Sequence, residues 1–285
     1  MCSPVSLSSL AIPPNSVVSY LDMSSVFSWK SLPPPLAEAV ADAHWQQILT
    51  GGSPSQVFRL VSTRGEPLYL IIAPRTFDRP LHQEKLQLQW LEARLPVPQV
   101  RMFAEDEGYD YLLLSEIPGI PASDDGFKKD APRVIEQLAA GLVMIHSLPI
   151  DQCPFDETLP HKIEQARQRM IQGLVDESDF DEPRLGRTAS ELYHELIESL
   201  PADEDLVFTH GDYCLPNVIL GDREVSGFID WARGGIADRH QDLALLARSV
   251  GFNFGEEWVP RLYEACRIRP DESKIHFYML LDEFF

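Results

Sequence analysis

The sequence predicts an α+β chain of two lobes, a small antiparallel-sheet lobe followed by a larger and mainly helical one. Three strand-like segments, His44–Leu49, Gln56–Ser62 and Leu68–Ile72, are separated by the turn-rich stretches TGGSPS and TRGEP. Short strands joined by such turns favour antiparallel hairpins. Later segments such as Asp130–His146 instead carry apolar residues at helical spacing. A length of 285 residues suits two lobes of ordinary size.

The remaining elements follow from the same patterns. Pro33–Asp42 has proline at its first positions, where a helix accepts it, and Arg79–Arg94 repeats apolar residues at helical spacing. Further segments are strands at Gln99–Ala104 and Tyr111–Ser115, helices at His161–Leu174 and Ala189–Leu200, strands at Leu206–Thr209 and Val225–Ile229, and a final helix at Glu272–Phe285. Asp130 and Asp271 are expected to cap the helices that follow them.

Composition is that of a globular protein and excludes several classes. Hydrophobic residues make up 44% of the chain and charged residues 24%, and no apolar run approaches the ~20 residues of a membrane-spanning helix. The N-terminal stretch MCSPVSLSSLAIPPNS has no basic residue and is a poor secretory signal. The 4 cysteines form no C-x-x-C pair, which fits neither a disulfide framework nor a zinc site. We therefore expect a cytoplasmic protein that binds no membrane.

The chain is strongly acidic, with a formal net charge of −20 at pH 7. This charge argues against a nucleic-acid ligand, which would call for basic patches. It favours cationic partners, because a negative field concentrates them. On its own the charge discriminates little, since many acidic proteins bind nothing cationic. A monomer is expected, and a dimer is left open.

The residues best suited to chemistry lie between Leu206 and Asp242. An apolar run leads into the loop HGD, which ends at Asp212, and Asn217 follows five residues later; a second strand-like run ends on Asp230. Phosphoryl transfer uses one Asp to accept the proton of the attacking hydroxyl, and an Asn with another Asp to hold Mg²⁺. Asp and Asn beside Gly or Pro are also common turn formers, but turns alone do not explain the whole order of residues.

The motif H-G-D-x-x-x-x-N followed by I-D resembles the signature of the aminoglycoside phosphotransferases and related small-molecule kinases. The segment GFIDWARGGIADRHQDLA and the terminal LLDEFF are similar, more narrowly, to the aminoglycoside 3'-phosphotransferases. The likeness runs from about Ala37 to the last residue. It implies a protein-kinase-like fold, ATP and Mg²⁺ as cofactors, and phosphorylation of the 3'-hydroxyl of aminoglycoside antibiotics, which confers resistance. It also implies Asp212 as the catalytic residue and Asn217 and Asp230 as the metal ligands.

The resemblance also predicts the boundaries between the parts of the chain. Residues 1–31 are rich in Ser and Pro and are expected to form a loosely ordered extension, unless the true start is Met23. Residues 32–114 are expected to form the nucleotide-binding N-lobe and residues 115–119 the hinge. Residues 120–285 would then form the C-lobe, which carries catalysis and aminoglycoside binding.

The resemblance assigns several residues to the nucleotide. In such folds the hinge backbone reads the adenine edge, which gives this role to the Glu116 carbonyl and the Ile117 amide. Tyr69 would lie near the adenine ring, although a core or surface tyrosine explains the residue equally well. The turn Thr50–Ser55, with Ser53, occupies the place of the nucleotide-covering loop. It lacks G-x-G-x-x-G, and a plain hairpin fits its local sequence better.

One residue departs from the family pattern. The third strand of the family reads L-Y-x-K-I-A-P-R, whereas this chain reads LYLIIAPR, so Ile71 stands where the lysine should be. That lysine contacts the α- and β-phosphates and pairs with a helix glutamate, here Glu84. Arg75 lies four residues along the strand, ~13 Å away, too far to substitute. An engineered replacement, a slow enzyme and a nucleotide-binding protein without catalysis all stay open. We expect weakened nucleotide binding and slower turnover.

The acidic stretch VDESDFDEP, between two predicted helices, matches the place of the family's aminoglycoside-contacting loop, although a solvated surface loop is the alternative. The substrate contacts implied by the resemblance are Ser178, Asp179, Glu182, Arg233, Arg248, Asp282, Glu283 and the carboxylate of Phe285. Asp238 and Asp242 are expected to be structural, and Asp242 to accept backbone N–H bonds from the catalytic loop. His146 is expected to pack or cap rather than to catalyse.

The residues at the end of the chain also suggest a cationic ligand, independently of the family resemblance. The last turn of the final helix contains Asp282, Glu283 and the α-carboxylate of Phe285. Negative charges there face the negative end of the helix dipole, at a cost of roughly 0.3–1 kcal/mol each. Three carboxylates placed against propensity suggest a pocket for a polycation. A frayed tail is less attractive, because it would expose Phe284 and Phe285.

Two alternative functions remain at this point. A kinase for another small amine or sugar metabolite fits the catalytic residues but not the terminal LLDEFF. A nucleotide-binding relative that has lost catalysis fits Ile71.

Overall fold

The computed structural model describes residues 32–48, 55–62, 65–76 and 80–285. The predictions for residues 1–31 and for Ser53 lie outside the described residues. Two compact units are present: one contains Asp125–Leu215 and Arg233–Phe285, and the other contains the described residues before Asp125 together with Pro216–Ala232. The predicted boundaries of lobe, hinge and lobe stay a prediction. Among the described residues, none of the helices combines the length and apolar content needed to cross a bilayer.

The unit that holds the start of the described chain is built on a five-stranded sheet in the order β1-β2-β3-β5-β4. Its strands are β1 (Ala43–Ile48), β2 (Gln56–Ser62), β3 (Leu68–Pro74), β4 (Val100–Glu105) and β5 (Tyr109–Ser115). Every neighbouring pair is antiparallel. The predicted small antiparallel sheet is confirmed, and each predicted strand ends within about two residues of the observed one.

The two faces of this sheet bury different residues, because successive side chains of a strand point to opposite faces. Leu70 and Ile72 of β3 belong to an apolar cluster that also contains residues of α1 (Pro34–Ala39). Tyr69 and Ile71 alternate with them and are therefore on the opposite face, and both are buried. The residue expected to be a lysine thus sits on the same face as Tyr69.

Helix α2 (Pro80–Leu91) follows β3 and packs against β4 and β5. It ends before the predicted limit at Arg94, because Ala93 adopts a left-handed backbone with φ 83° and stops the helix.

Three short strands, β6 (Ile120–Pro121), β8 (Val218–Leu220) and β9 (Val225–Phe228), form a second antiparallel sheet in the order β6-β8-β9.

The other unit is mainly helical and contains one two-stranded sheet. Its helices are α3 (Ala131–His146), α4 (Leu159–Ile171), α5 (Ala189–Glu198), α6 (Arg239–Phe254), α7 (Val259–Cys266) and α8 (Glu272–Asp282), and its strands are β7 (Leu206–Thr209) and β10 (Gly235–Asp238). One apolar core joins α4, α5, α6 and α8. Helix α4 ends before the predicted Leu174, where Gly173 takes φ 66°. Helix α5 ends before Leu200, whose helical conformation is disfavoured by the proline after it.

Two predicted helix caps have different outcomes. The Asp271 carboxylate accepts the backbone N–H groups of Ser273 and Lys274 at 2.9 and 3.1 Å, as predicted. Asp130 occupies the N-cap position of α3, but its side chain makes no cap hydrogen bond and pairs with Arg133 instead. The predicted N-cap position of Asp130 is therefore confirmed, but its side chain does not cap the helix, because a cationic side chain one turn away competes with the backbone donors for the same carboxylate.

Candidate active site

The HGD loop is held by a carboxylate from another element. Asp242, in the first turn of α6 and fully buried, accepts the backbone N–H groups of His210 and Gly211, each at 2.8 Å. The Nε2 atom of His146, at the end of α3, lies 3.0 Å from the same carboxylate. The prediction that Asp242 accepts backbone N–H groups of the catalytic loop is confirmed. His146 contacts this carboxylate, and the expectation that it does not catalyse stays a prediction. The backbone of the loop that carries Asp212 is thus held in place by Asp242.

Gly211 is required at its position by both conformation and space. Its φ is +83°, and an added Cβ would lie 2.0 Å from the carbonyl oxygen of Arg233. The Gln241 side chain also donates to the Gly211 carbonyl at 3.2 Å. Because the backbone of Gly211 is held in this way, Asp212 starts from a defined backbone position. Asp212 is 9% exposed. The geometry suits a residue that must orient a hydroxyl group.

The chain after Asp212 is anchored to two helices. The Tyr213 hydroxyl donates to the Leu138 carbonyl of α3 at 2.8 Å, and the Leu215 N–H donates to the Ser249 hydroxyl of α6 at 3.0 Å. Tyr213 and Leu215 are fully buried. These bonds extend the rigid support of the loop on its C-terminal side.

In the other unit, a hairpin brings the two candidate metal ligands to one end of a sheet. Asn217 immediately precedes β8, and Asp230 follows β9 after one residue. The two strands pair antiparallel, with Val218 opposite Phe228, and the Ile229 N–H donates to the Asn217 carbonyl at 3.0 Å. Asp230 has φ 65°, a conformation that is uncommon for a residue other than glycine and that concentrates at functional sites.

Glu84 of α2 lies beside this hairpin end as a buried carboxyl group. It is 1% exposed, and the backbone N–H of Trp231 donates to it. Its Oε2 atom has no hydrogen-bond partner among the described residues. Burial, and then the negative charge of Asp230, raise the pKa of Glu84 to about 8. The structure therefore places an uncompensated carboxyl group next to a candidate metal ligand.

The oxygen atoms at this end of the hairpin fit Mg²⁺ that arrives with a nucleotide. Within the described residues no group of three or more His, Cys, Asp or Glu side chains is placed to hold a metal ion. Mg²⁺ commonly takes only one or two carboxylates and completes its shell with phosphate oxygens and water. The amide of Asn217 and the carboxylate of Asp230 agree with this coordination preference of Mg²⁺.

An apolar cleft lies on the Tyr69 face of the large sheet. It is lined by Tyr69, Pro98, Leu114, Ser115, Ile117, Ile219 and Ile229. Apolar walls with a few polar groups are typical of small-molecule pockets. Tyr69 is therefore a cleft residue as well as a buried one, and its two sequence interpretations do not exclude each other.

The backbone groups assigned to the hinge are available for a ligand. The Glu116 N–H donates to the Pro67 carbonyl at 3.2 Å, and the Glu116 carboxylate makes a two-pronged contact with Arg59 at 3.0 and 2.9 Å. In the described part of the chain, the Glu116 carbonyl and the Ile117 N–H have no hydrogen-bond partner. An acceptor and a donor are thus left open beside the cleft.

Ile71 is completely buried in β3, paired with Val57 of β2 and Leu112 of β5. Its side chain offers no charge to a phosphate or to Glu84. Arg75 is engaged elsewhere, 3.2 Å from the Asp110 carboxylate. The sequence-based conclusion that Arg75 does not replace the lysine agrees with this pairing.

The acidic loop before α5 is folded by its own side chains. The Asp176 carboxylate accepts the Ser178 N–H and hydroxyl at 3.0 and 2.6 Å, which fixes Ser178. Ser178 and Glu182 are exposed and Asp179 is half-buried. Phe180, at 3% exposure, anchors the loop in the helical core. The loop presents carboxylates to solvent from a fixed base.

Arginines neutralise the carboxylates at the end of α8. Asp282 pairs with Arg233 and with Arg248, and Arg248 also reaches Asp181 at 2.9 Å. Burial by itself would raise the pKa of Asp282, but the two guanidinium groups outweigh it and hold the pKa below its usual range. The sequence argument treated these charges as uncompensated, and that part is wrong, because the compensating cations come from other elements.

Glu283 belongs to the same network and joins it to the acidic loop. Its carboxylate lies 2.9 Å from the Arg184 guanidinium and accepts the Asp181 N–H at 3.2 Å. Burial and then the nearby Asp181 charge raise the pKa of Glu283 to about 7, although Arg184 opposes the shift. The loop and the end of the chain are thus one connected surface. The assignment of these residues to a substrate stays a prediction.

The terminal phenylalanines are packed rather than frayed. Phe284 is fully buried, and the Arg169 guanidinium donates to its carbonyl at 2.6 Å. Around the Phe285 ring, Lys162 Nζ lies 4.6 Å, Arg233 Cζ 5.2 Å and Arg169 Cζ 5.7 Å from the centroid. Such cation–π contacts fix the last residue beside Asp282 and Glu283.

Comparison with known proteins agrees with this geometry. A profile of the Phosphotransferase enzyme family matches residues 44–278. This chain belongs to the phosphotransferase enzyme family. It is 37% identical to an aminoglycoside 3'-phosphotransferase of Niallia circulans over 90% of this chain and 99% of the relative. It is also 37% identical to one of Streptomyces fradiae, over 85% of this chain and 95% of the relative.

Solved structures establish the fold of the phosphotransferase. The crystal structure of an aminoglycoside-3'-phosphotransferase of type VIII superposes with a TM-score of 0.79 and 35% identity, covering 88% of this chain and 97% of that one. An aminoglycoside phosphotransferase of Streptomyces rimosus, solved with ADP and streptomycin, gives a TM-score of 0.73 and 28% identity, covering 87% and 95%. The predicted two-lobed, protein-kinase-like α+β fold is confirmed.

The sequence analysis missed several residues that support the phosphotransferase site. They are Gln241, which holds the Gly211 carbonyl, Arg59, which pairs with Glu116, and Lys162, Arg169 and Arg184, which hold the chain end. Arg184 follows directly on the acidic stretch and could have been suspected as its counter-charge. The others are separated from their partners by about thirty residues or more along the chain, and no local pattern points to them.

Proposed function

We propose that this chain transfers the γ-phosphoryl group of ATP to the 3'-hydroxyl of aminoglycoside antibiotics and so confers resistance to them. The observation that carries the proposal is the HGD loop, whose two backbone amides are held by Asp242 so that Asp212 has a defined position. Support comes from relatives named aminoglycoside 3'-phosphotransferase that are covered over 95–99% of their length. A relative solved with ADP and streptomycin supports nucleotide use.

Asp212 is the catalytic residue in this proposal. It orients the attacking hydroxyl and accepts its proton. Most of the acceleration of phosphoryl transfer comes from positioning and electrostatic stabilisation. The support of the loop from Asp242 and Gln241 is therefore part of the mechanism, because it fixes the direction of the carboxylate.

Asn217 and Asp230 would hold Mg²⁺. The metal, when bound, would offset the negative charge of the phosphate groups. The two residues are suited to the task because the β8–β9 hairpin brings them to the same end of one small sheet. The left-handed backbone of Asp230 directs this carboxylate in a way that an extended strand end would not.

The nucleobase would occupy the cleft beside Tyr69. Its walls are apolar, and the open Glu116 carbonyl and Ile117 N–H supply the acceptor and donor that an adenine edge requires. Ser53 would cover the phosphates and Glu84 would line their site. Ile71 cannot contact a phosphate, so we expect weaker nucleotide binding than in relatives that keep the lysine.

The aminoglycoside would bind at the surface formed by the acidic loop and the chain end. Ser178 and Glu182 are exposed, and Asp179 is half-buried. Asp282 and Glu283 are held in place by arginines. Ammonium groups of the drug would make charge-assisted hydrogen bonds with these carboxylates. Arg233 and Arg248 would contribute by orienting Asp282, and Phe285 by its carboxylate.

We further propose that the protein acts as a cytoplasmic monomer. Among the described residues, Cys153, Cys214 and Cys266 form no disulfide, which suits a reducing compartment. The net charge of −20 disfavours a nucleic-acid partner.

One competing function is favoured by a specific residue. A nucleotide-binding protein without catalysis would explain Ile71 at the position of the phosphate-contacting lysine. Asp212, Asn217 and Asp230 are nevertheless all present, which is why the catalytic function is preferred.

The test is ADP formation by the purified chain with ATP, Mg²⁺ and kanamycin. We expect drug-dependent turnover that falls about 10²-fold or more in Asp212→Asn, because the general base is lost, while nucleotide affinity is retained. Asp151→Asn, a change at an exposed aspartate, is the matched control and should leave turnover unchanged. Nucleotide binding without drug-dependent ADP formation would support the non-catalytic relative. Turnover with a small amine or sugar but not with kanamycin would overturn the substrate assignment.

A further inference from the structure

A buried lysine lies against the last residue of this phosphotransferase. The side chain of Lys162, on α4, is only 2% exposed, and its Nζ atom lies 4.6 Å from the centroid of the Phe285 ring. The same ammonium group pairs with the Glu157 carboxylate at 2.8 Å. Burial lowers the pKa of Lys162, and the charge of Glu157 opposes this shift. Because lysine is seldom buried so completely, the presence of this ammonium group calls for an explanation.

Stability alone does not account for a lysine at this position. A buried ion pair is often no more stabilising than apolar side chains of similar volume, because both charges must leave water. Three cations surround the Phe285 ring among the described residues, and Lys162 lies nearest to its centroid. A cation–π contact is stronger when the cation is removed from water. Lys162 is therefore well placed to fix the orientation of the ring.

The other partner of Lys162 is attached to the strand pair that carries the catalytic loop. The Glu157 N–H donates to the Ile236 carbonyl of β10 at 3.0 Å. A Cβ added to Gly235 would lie 2.6 Å from Glu157 Cγ, so the side chain of Glu157 packs directly on this strand. Gly235 pairs with Thr209 of β7, which directly precedes the HGD loop. The Glu157–Lys162 pair thus links the support of the catalytic loop to the end of the chain.

We propose that Lys162 is a positioning residue for the aminoglycoside, because it holds the Phe285 ring at a fixed place relative to the catalytic strand pair and so places the terminal carboxylate for an ammonium group of the drug. The inference rests on the proposed function, in which the Phe285 carboxylate contacts the substrate. The ring and the carboxylate belong to one residue, so a ring that turns away displaces the carboxylate with it. Lys162 acts only through Phe285, since its own side chain is buried.

Steady-state kinetics of Lys162→Met test the proposal. Methionine has a similarly long, unbranched side chain but no charge. We expect the KM for kanamycin to rise about tenfold, the equivalent of ~1.4 kcal/mol and within the range of a desolvated cation–π contact. The KM for ATP should stay unchanged, because neither Lys162 nor Phe285 belongs to the proposed nucleotide site. Lys129→Met, a change at an exposed lysine, is the matched control and should leave both constants unchanged.

A double variant separates positioning from a purely structural role. Lys162→Met alone leaves the Glu157 carboxylate without its partner, which lowers Tm. Glu157→Gln combined with Lys162→Met removes both charges and should regain most of the lost Tm, while the KM for kanamycin stays raised. A double variant with normal Tm and normal KM would overturn the proposal, because Lys162 would then serve only to neutralise Glu157.

The position of the chain end is measured separately by the rate at which carboxypeptidase A releases Phe285 from the full-length protein. Release should be faster from Lys162→Met than from the unchanged chain and from Lys129→Met, and equal rates would contradict the proposal. Drug-dependent turnover of the unchanged chain with the same KM for kanamycin in Lys162→Met would overturn this inference alone. Absence of drug-dependent turnover in the unchanged chain would overturn the proposed function and this inference with it.

Discussion

The carboxylate of Asp242 should control both the stability of the protein and the position of its catalytic loop. Asp242→Asn keeps the shape of the side chain but replaces one acceptor oxygen with an NH₂ donor. In the structure one oxygen accepts the Gly211 N–H and the other accepts the His210 N–H. Whichever way the amide turns, one buried N–H group of the loop then faces a donor.

The magnitude follows from this geometry. A buried N–H left without an acceptor costs about 1–3 kcal/mol, and the remaining bond loses the charge that makes such bonds roughly twice as strong as neutral ones. The contact with His146, now 3.0 Å from a carboxylate, is weakened too. The free energy of unfolding should fall by about 3–5 kcal/mol, as when one member of a buried charged network is removed. That corresponds to a fall of roughly 10 °C in Tm.

Thermal unfolding and steady-state kinetics are the assays. Because a loop displaced by about 1 Å costs about 10²-fold in rate, kcat should fall even at temperatures where the variant is folded. Asp151→Asn, at an exposed position, controls for the loss of a charge and should change stability by less than about 0.5 kcal/mol. An Asp242→Asn protein with the normal Tm and normal kcat would refute the claim that this carboxylate holds the loop.

Further predictions concern the loop glycine, the missing lysine and acid stability. Gly211→Ala should abolish turnover and lower Tm, because the new Cβ would lie 2.0 Å from the Arg233 carbonyl oxygen; kinetics and melting check this, and an active, stable variant would contradict it. Ile71→Lys should lower the KM for ATP about tenfold at low free Mg²⁺, since a charge-assisted hydrogen bond contributes about 1.5–3 kcal/mol; an unchanged KM would show that the strand is misaligned. Burial tends to raise the pKa of Asp238, but hydrogen bonds, including that from Lys274, lower it below its usual value. This stabilisation is present above about pH 4 and is lost as the pH falls further. Melting curves of Asp238→Asn should therefore depend less on pH below 4 than those of the unchanged chain, and parallel curves would contradict the assignment.

The parts of the fold that local sequence determines were predicted well. The strands of the large sheet are separated by turn-forming residues, so their bounds could be read from the sequence. Asp271 caps α8 because the donors it needs, the N–H groups of Ser273 and Lys274, lie two and three residues ahead. The very short strands β6 and β10 have no readable pattern, because their pairing partners are distant in the chain.

The site illustrates the same limit. The order of Asp212, Asn217 and Asp230 indicates phosphoryl transfer, since the residue types and their spacing follow from the chemistry. The charge balance at the chain end could not be predicted in this way. Asp282 meets Arg233 and Arg248, which are separated from it by 49 and 34 residues. The proximity of Glu84 to Asp230 likewise depends on the packing of a helix against a hairpin.

The measurement that tests the central claim most directly is the position of the phosphate on the product. After the purified chain has acted on kanamycin with ATP, phosphorus–proton correlation by NMR identifies the modified hydroxyl. The account predicts one phosphate at the 3'-oxygen, no product from an aminoglycoside that lacks the 3'-hydroxyl, and product formation that is slower by about 10²-fold or more with Asp212→Asn. A phosphate at any other position, or equal turnover of the 3'-deoxy drug, would contradict it.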